Sequence, residues 1–463
     1  NVDITCASSA AVYVKSAEKV FVTLAEGSQN TLRNTDEYVA IDDNNIDAVI
    51  FAKSDLTLNG TGSLTIISAE GHGIVSKDDL KIIGGTYDIT AAGHALSGKD
   101  SVRIADGTFI LTAEKDGIHA ENADDEEKGY IYIADGDFTI TSDGDGVDAS
   151  NIVQIEDGTF DITAGGGAAN SQKTHESDMP GGPGGGMPQK RRENRTEKAC
   201  HRWGKKPDGE NMPQDSQQLT RSGTSTKRNQ GRWRMYLNGG TYQIDSADDS
   251  IHSNANITIA DGTYTLATGD DGVHADDALT VNGGTITVTE SYEGLEGLAV
   301  TINDGTIDIT ASDDGINTAG EKMELNGGYI HILAGGDGVD SNGDLTINGG
   351  EIYIDGPSDN GNSAIDYGDR SSAYVNGGTL VAIGSSGMAE VMSDSSKQKV
   401  LMVKLGEQME AGNVVLTDSE GNVIVSYTAL KTYDCVIIST AEVESGATYT
   451  LTTSGTTTEV TAE

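Results

Sequence analysis

Apolar and polar residues alternate in short runs along most of the chain, as in Leu279-Thr-Val281 and Thr285-Ile-Thr-Val288. A period of two belongs to a strand, whose side chains point to opposite faces, and not to a helix. The runs are punctuated regularly. A step such as Gly73-Ile74, Gly146-Val147, Gly272-Val273 or Gly338-Val339 leads into one alternating run, then a Gly-Gly or Asp-Gly pair, then another run. Asp106-Gly107, Asp157-Gly158, Gly283-Gly284 and Gly349-Gly350 are such pairs. With Ile50, Ile74, Leu96, Ile118, Val147, Ala169, Ile251, Val273, Leu295, Ile316, Val339 and Ile365 as anchors, the usual spacing is 21 to 24 residues. A fixed period of this size marks a repeat architecture.

No leucine-rich consensus accompanies the period. Three short strands joined by glycine corners therefore make one coil, and the chain predicts an all-β fold, a right-handed parallel β-helix of about twelve coils. Stacking at about 4.8 Å would give a length on the order of 55–60 Å. Tyr87, Phe109, Phe138, Phe160, Tyr242 and Tyr264, then Ile286, Ile307, Ile330 and Ile352, fall one per coil on the third strand. Aliphatic residues replace the rings further along, so the column is expected to be core and not a sugar platform.

Two insertions leave the corner between the first and second strands. One is short and acidic (Glu121, Asp124, Asp125, Glu126, Glu127). The other, 171–234, is Gly/Pro-rich and then basic; it holds 14 of the 30 Lys and Arg, Trp203 and Trp233, and five of the six Pro. It is expected to be a disordered loop or tether. After about residue 390 the repeat stops, and runs such as Cys435-Val-Ile-Ile438 predict antiparallel strands. The expected division is a β-helix over 1–389 and a small C-terminal β cap over 390–463, covering an end that would otherwise template aggregation.

Charge narrows the partners. The chain carries −43, and outside the basic insertion 16 Lys and Arg face 66 Asp and Glu. Such a surface argues against nucleic acid, whose phosphates need basic contacts. Lys190–Arg195 in the insertion is the one stretch with the opposite character. No apolar run reaches the ~18–20 residues of a membrane span, so no membrane insertion is expected. Cys6, Cys200 and Cys435 imply no disulfide framework. No leader segment is evident and residues 1–5 already resemble a strand, which suggests a processed chain; the acidity suits a secreted or cell-surface protein.

Candidate chemistry lies in two columns. Two positions before the anchors stand His72, His94, Asp116, Asp145, Asp249, Asp271, Glu293, Asp314 and Asp337; one position after stand Ser97, His119, Asp148, Asn170, His252, His274, Glu296, Asn317, Asp340 and Asp366. Stacked carboxylates repel by about 1 kcal/mol per pair in water and several-fold more when desolvated. Calcium, with six to eight oxygen ligands and tolerance of irregular geometry, answers that repulsion. The candidate metal ligands are Asp116, Asp145, Asp148, Asp249, Asp271, His274, Glu293, Glu296, Asp314, Asp337 and Asp340. The interleaved histidines admit a transition metal as a lesser option. The plainer reading is that Asp before Gly is a turn former whose carboxylate caps nearby amides.

The run Ala11-Val-Tyr-Val-Lys-Ser-Ala-Glu-Lys-Val-Phe-Val-Thr-Leu-Ala-Glu-Gly27, with Asn30-Thr-Leu32, the Asp-Gly-Ile/Val coils, the Gly-Pro insertion and the ending Gly446-Ala-Thr-Tyr449-Thr-Leu, resembles a clostridial family of carbohydrate-binding β-helices. That family is similar in fold to pectate lyases of polysaccharide lyase family nine. The resemblance implies calcium and binding of cellulosic or acidic, pectin-like polysaccharide. The chain departs from the family in the segment before residue 1 and in its basic insertion.

The expectation is thus a non-catalytic, calcium-assisted polysaccharide binder. A surface filament or adhesin made of β-helices associating head to tail is the alternative. A pectate lyase would need a Lys or Arg base within hydrogen-bond reach of the sugar proton. None occurs from Tyr236 to Gly320, where the acids are densest; Lys77, Lys81, Lys99, Arg103 and Lys115 lie elsewhere.

Overall fold

The computed structural model describes residues 1–39, 44–122, 124–125, 127–173, 234–320, 322–368 and 370–462. Glu126, Cys200, the stretch Lys190–Arg195 and both tryptophans lie outside them. The described chain is all-β apart from one short 3-10 turn, Ala168–Asn170.

Each repeat supplies three strands, and each pairs in parallel with its counterpart one repeat away. In one repeat these are Leu96–Gly98, Ser101–Ile104 and Thr108–Ala113. Equivalent residues face one another from repeat to repeat, Leu96 facing Ile118, Val102 facing Ile131 and Phe109 facing Phe138, with register shifts at Leu266/Ala267 and Ala275/Ala278. Third strands form one 16-stranded sheet whose last two members, Tyr433–Ser439 and Leu401–Met409, run antiparallel. Where Val273–Val281 and Leu295–Ile302 run straight through the corner, the first and second strand lines fuse.

Alternation fixes what is buried. Third strands such as Thr86–Ala91 and Asp137–Ser142 hide every second residue. The predicted core column is buried, and its rings stack at centroid distances of 5.2, 4.7, 4.7, 4.9 and 4.6 Å from Tyr87 to Tyr264. Each stacked pair adds about 0.5–1.5 kcal/mol to its burial. The buried Tyr hydroxyls donate to turn carbonyls, Tyr87 to Gly84 at 3.0 Å and Tyr242 to Gly239 at 2.9 Å. The corners need glycine. Gly240 has φ 98°, and a Cβ there would lie 3.0 Å from the Gly158 carbonyl oxygen of the preceding repeat.

One anchor is misplaced. Ala169 is exposed in the 3-10 turn, and the first strand line stops at Val147–Ala149 and resumes at Ile251–Ser253. Gly165, Gly166 and Gly167 all have positive φ (59°, 82°, 83°), which turns the chain away before a strand can form. Asn170 accordingly leaves the second column, its amide donating instead to the Gly165 carbonyl at 2.6 Å.

Beyond Thr379–Gly384 the direction of pairing reverses. Ser393 and Gln398 donate to the carbonyls of Ala373 and Val375, covering the last second strand. A four-stranded antiparallel sheet built on Gly412–Thr417 and Val423–Ala429 carries its own apolar core with Val414, Tyr433 and Leu451. Buried Asp355 ties this part to the repeats: it accepts the Leu430 amide at 2.9 Å and the Tyr427 hydroxyl at 2.5 Å. No helix among the described residues is long and apolar enough to cross a membrane.

Candidate functional site

The two columns form an edge beside the first strands in two stretches, one before and one after the break at Ala168–Asn170, and the first column has a backbone task. Seven of its nine members, all but Asp145 and Glu293, accept the amide of the successor one repeat on. His72 Nδ1 takes His94 N at 2.8 Å and His94 Nδ1 takes Asp116 N at 3.2 Å. Asp116 Oδ1 takes Asp145 N at 2.9 Å, and Asp249 Oδ1 takes Asp271 N at 3.1 Å. Asp271 Oδ1 takes Glu293 N at 3.2 Å, Asp314 Oδ1 takes Asp337 N at 2.7 Å, and Asp337 Oδ1 takes Ser363 N. The amides sit at the corner where the strand ladder is interrupted, so a side-chain acceptor is required there. The capping role set against metal binding is therefore real, and it occupies one oxygen each of Asp116, Asp249, Asp271, Asp314 and Asp337.

The second oxygen faces the second column. Asp116 Oδ2 lies 2.9 Å from His119 Nδ1, which also meets Asp148 Oδ2 at 2.9 Å. Asp249 Oδ2 lies 3.3 Å from His252 Nδ1 and 3.5 Å from His274 Nδ1. His274 further approaches Asp271 at 3.3 Å and Glu296 at 3.5 Å. Among the described residues, five groups of three place a ligand atom of each member within 4.8 Å of the others. They are His94–Asp116–His119, Asp249–His252–His274, Asp271–His274–Glu296, Asp248–Asp249–Asp270 and Asp314–Asp337–Asp340.

Eight of the eleven proposed ligands fall in these groups. Three do not: Asp145 is buried with its amide on Asp116, Asp148 pairs with His119, and Glu293 accepts the Asn317 amide at 2.8 Å. Asp248, Asp270, His94, His119 and His252 complete groups without having been singled out as ligands. The doubled acids Asp248-Asp249 and Asp270-Asp271 are the sequence signal for two of them. Lys173, at the start of the long insertion, reaches Asp248 and Asp270 and sits as a cation between them.

Charge is settled differently along the edge. Burial opposes ionisation of Asp116, but the imidazole of His119 beside it, with that of His94, outweighs burial and holds the carboxyl below its usual range. His119, despite burial, is held well above the usual imidazole value by Asp116 and Asp148. His72 is pushed down to about 3 by burial and by His94, leaving a neutral ring suited to accepting an amide. Further along, burial raises Glu293 well above the carboxylate range, and the charges of Glu296, Asp271 and Asp314 add to it. Burial takes Glu296 up to about 8 against the pull of His274, and Asp337 up to about 8 against its bond from Ser363.

Four of the five basic side chains considered for lyase chemistry have other partners; the fifth, Lys115, acts on His72 and His94 of the edge itself. Lys81 and Arg103 both contact Asp79, at 3.1 and 2.9 Å, and Lys99 pairs with Asp124 at 3.0 Å. The Lys77 ammonium lies 5.1 Å from the Phe51 ring centroid.

A groove of about 710 Å³ runs along a second edge, at the corner between second and third strands, lined by Gly284, Asp304, Gly305, Thr306, Gly328, Tyr329, Gly350, Glu351 and Thr379.

Comparison with known proteins places the chain. The sequence model of a family described as carbohydrate-binding domain-containing protein matches residues 1–272 and 270–422. A curated protein of that description from Acetivibrio thermocellus is 41% identical over 90 residues, covering 19% of this chain and 32% of its own length. The match thus spans about a third of that relative. A solved structure described as the polysaccharide lyase-like protein from C. thermocellum, a gadolinium derivative, is 37% identical, with a TM-score of 0.35 over 35% of this chain and 67% of its own.

Proposed function

Because the chain belongs to the carbohydrate-binding domain family, we propose that it is an extracellular, non-catalytic polysaccharide-binding protein whose acidic edge recognises acidic, pectin-like polymers through calcium. The repeats wind, on this reading, into a right-handed parallel β-helix that presents the edge as a straight row. A polymer with carboxylates at regular intervals meets that row only if a cation lies between the two sets of charges.

The observation that carries the reading is the carboxylate group Asp314–Asp337–Asp340, whose ligand atoms lie within 4.8 Å of one another. Its donors are all oxygens, as a hard cation requires. Asn317, in register between Glu296 and Asp340, adds a buried Oδ1 that has no hydrogen-bond partner among the described residues. Asp314, Asp337, Asp340 and Asn317 are the residues that would hold calcium. A bound ion would offset their mutual repulsion and offer its open positions to a uronate. The groups with histidine fit less well, since their imidazoles are already drawn to carboxylates.

Calorimetric titration with polygalacturonate, in calcium and in chelator, tests this. Binding that needs calcium while the fold persists in chelator supports the bridging role. A protein that melts higher in calcium yet binds no acidic polymer makes the ion structural and removes the proposal.

A further inference from the structure

The groove at the second corner is built differently from the acidic edge and asks for a different ligand. Its floor is a row of glycines with positive φ: Gly284, Gly305, Gly328, Gly350 and Gly378. A Cβ at Gly328 or Gly378 would lie 2.5 Å from the Gly305 or Gly350 carbonyl oxygen of the preceding repeat. The floor is therefore bare backbone for five repeats, and four intervals of about 4.8 Å make it roughly 19 Å long.

A ladder of asparagines stands beside the glycines. Asn303 donates to Asn282 at 2.8 Å, Asn326 to Asn303 at 2.9 Å, Asn348 to Asn326 at 2.8 Å and Asn376 to Asn348 at 2.9 Å. A carboxamide has two N–H donors and two acceptor lone pairs. The ladder uses one of each and runs alongside the turns, next to the lining of the groove and not within it.

On the other side Thr285, Thr306, Tyr329, Glu351 and Thr379 stand in register. Tyr329 is 42% exposed, with Tyr353 behind it at 5.6 Å and Tyr427 behind that at 5.2 Å. A large aromatic ring backed in this way is an apolar face with little conformational freedom to lose, which suits the flat side of a pyranose. Earlier repeats have the same glycine turns but Ile83, Ala105, Ala134 or Ala260 in the asparagine position, and where Asn238 stands there it bonds Glu156 and not a second asparagine. The groove follows the unbroken run of asparagine turns from Asn282 to Asn376.

We propose that this groove holds an uncharged glycan strand lying along the stack of repeats, apart from the acidic edge. It is lined by two carboxylates, Asp304 and Glu351, and no Lys or Arg, a setting that repels a polyuronate and accepts hydroxyls. The inference rests on the family-level reading of polysaccharide binding but not on calcium.

Calorimetry with cellohexaose and with polygalacturonate separates the possibilities, using the whole chain, Tyr329→Ala and Thr306→Arg. Both side chains are exposed, and melting curves check that the fold survives. Loss of the ring is expected to weaken cellohexaose binding about tenfold, and Thr306→Arg to abolish it by filling the groove, both in calcium and in chelator. Polygalacturonate binding should stay unchanged. Unaltered cellohexaose binding in both variants, or a parent protein that takes only polygalacturonate, overturns the groove and leaves the polysaccharide reading standing. A parent protein that binds neither overturns both.

Discussion

At the His72–Asp148 end of the acidic edge, two neutral imidazoles and Asp116 accept the amides of their successors, and the protonated His119 lies between Asp116 and Asp148. At the Glu293–Asp340 end the amides of Asp337 and Ser363 are again met by side-chain oxygens, but carboxyls crowd one another and Glu293 is driven toward its neutral form. The backbone task is the same. It needs an acceptor and no charge, since histidine serves as well as aspartate. The extra carboxylates at the second end are therefore surplus to folding, and the difference locates the charge that a cation, and through it an acidic polymer, would use.

The comparison breaks most severely at Asp249, which accepts the Asp271 amide and faces both His252 and His274. Asp249→Ala leaves an amide and two imidazoles without their acid, and should cost about 3–5 kcal/mol. His94→Ala removes a neutral acceptor and the ring stacked between His72 and His119, and should cost about 1–3 kcal/mol. Urea unfolding of the two variants measures the gap. Equal losses would mean that charge plays no part in the middle of the edge.

Calcium sharpens the contrast next. Binding at one hundred times Kd raises stability by about 2.7 kcal/mol. We expect that gain in the parent protein and in Asp148→Asn, and its loss in the Asp337→Asn/Asp340→Asn pair. The pair should match or exceed the parent in chelator, because a crowded carboxyl whose burial opposes its ionisation is replaced together with its acidic neighbour. A calcium response that disappears with Asp148→Asn would move the ion to the histidine end.

In chelator the two ends also differ toward acid. Glu296 and Asp337 titrate near 8 in the fold and in the ordinary carboxylate range when unfolded. A carboxyl raised in this way loses stability as pH climbs from about 4 to 8, because the unfolded chain ionises first. Asp116 is depressed, so its contribution is present above the usual carboxylate value and disappears as pH falls through the folded one. His119 contributes fully below its usual value, and the contribution declines above that value until it is lost as pH passes the raised folded one. Melting temperature in chelator should therefore fall between about pH 6.5 and 8, where each raised group contributes up to about 1.4 kcal/mol per pH unit. Glu296→Gln/Asp337→Asn should flatten that slope.

Much of this architecture is legible in the chain because a period-two run within a fixed repeat says which residues stack. The rings from Tyr87 to Tyr264 and the columns from His72 to Asp340 follow from counting alone. What a side chain does to a neighbour 22 residues away does not. Nothing local tells that Asp314 Oδ1 is taken by the amide of Asp337, or that His72 and Asp249 do one job. Ala169 shows the opposite failure: its spacing was right, but three glycines with positive φ turned the chain before a strand could form. The asparagines before the turns at 282, 303, 326, 348 and 376 were in plain view, yet their meaning depends on the ladder that stacking creates.

The smallest effect tests the comparison most directly. His94→Asp gives the histidine end the acid found further along. The new side chain can still accept the Asp116 amide, so the backbone task survives. Its second oxygen would face a region where His119 is already protonated between Asp116 and Asp148, so the added charge meets a cation as well as a carboxylate. The change in stability should be about 1 kcal/mol or less, with no new response to calcium. A calcium response gained by this single substitution would show that any stacked acid recruits the ion, and that the Glu293–Asp340 end is set apart by nothing more than its count of carboxylates.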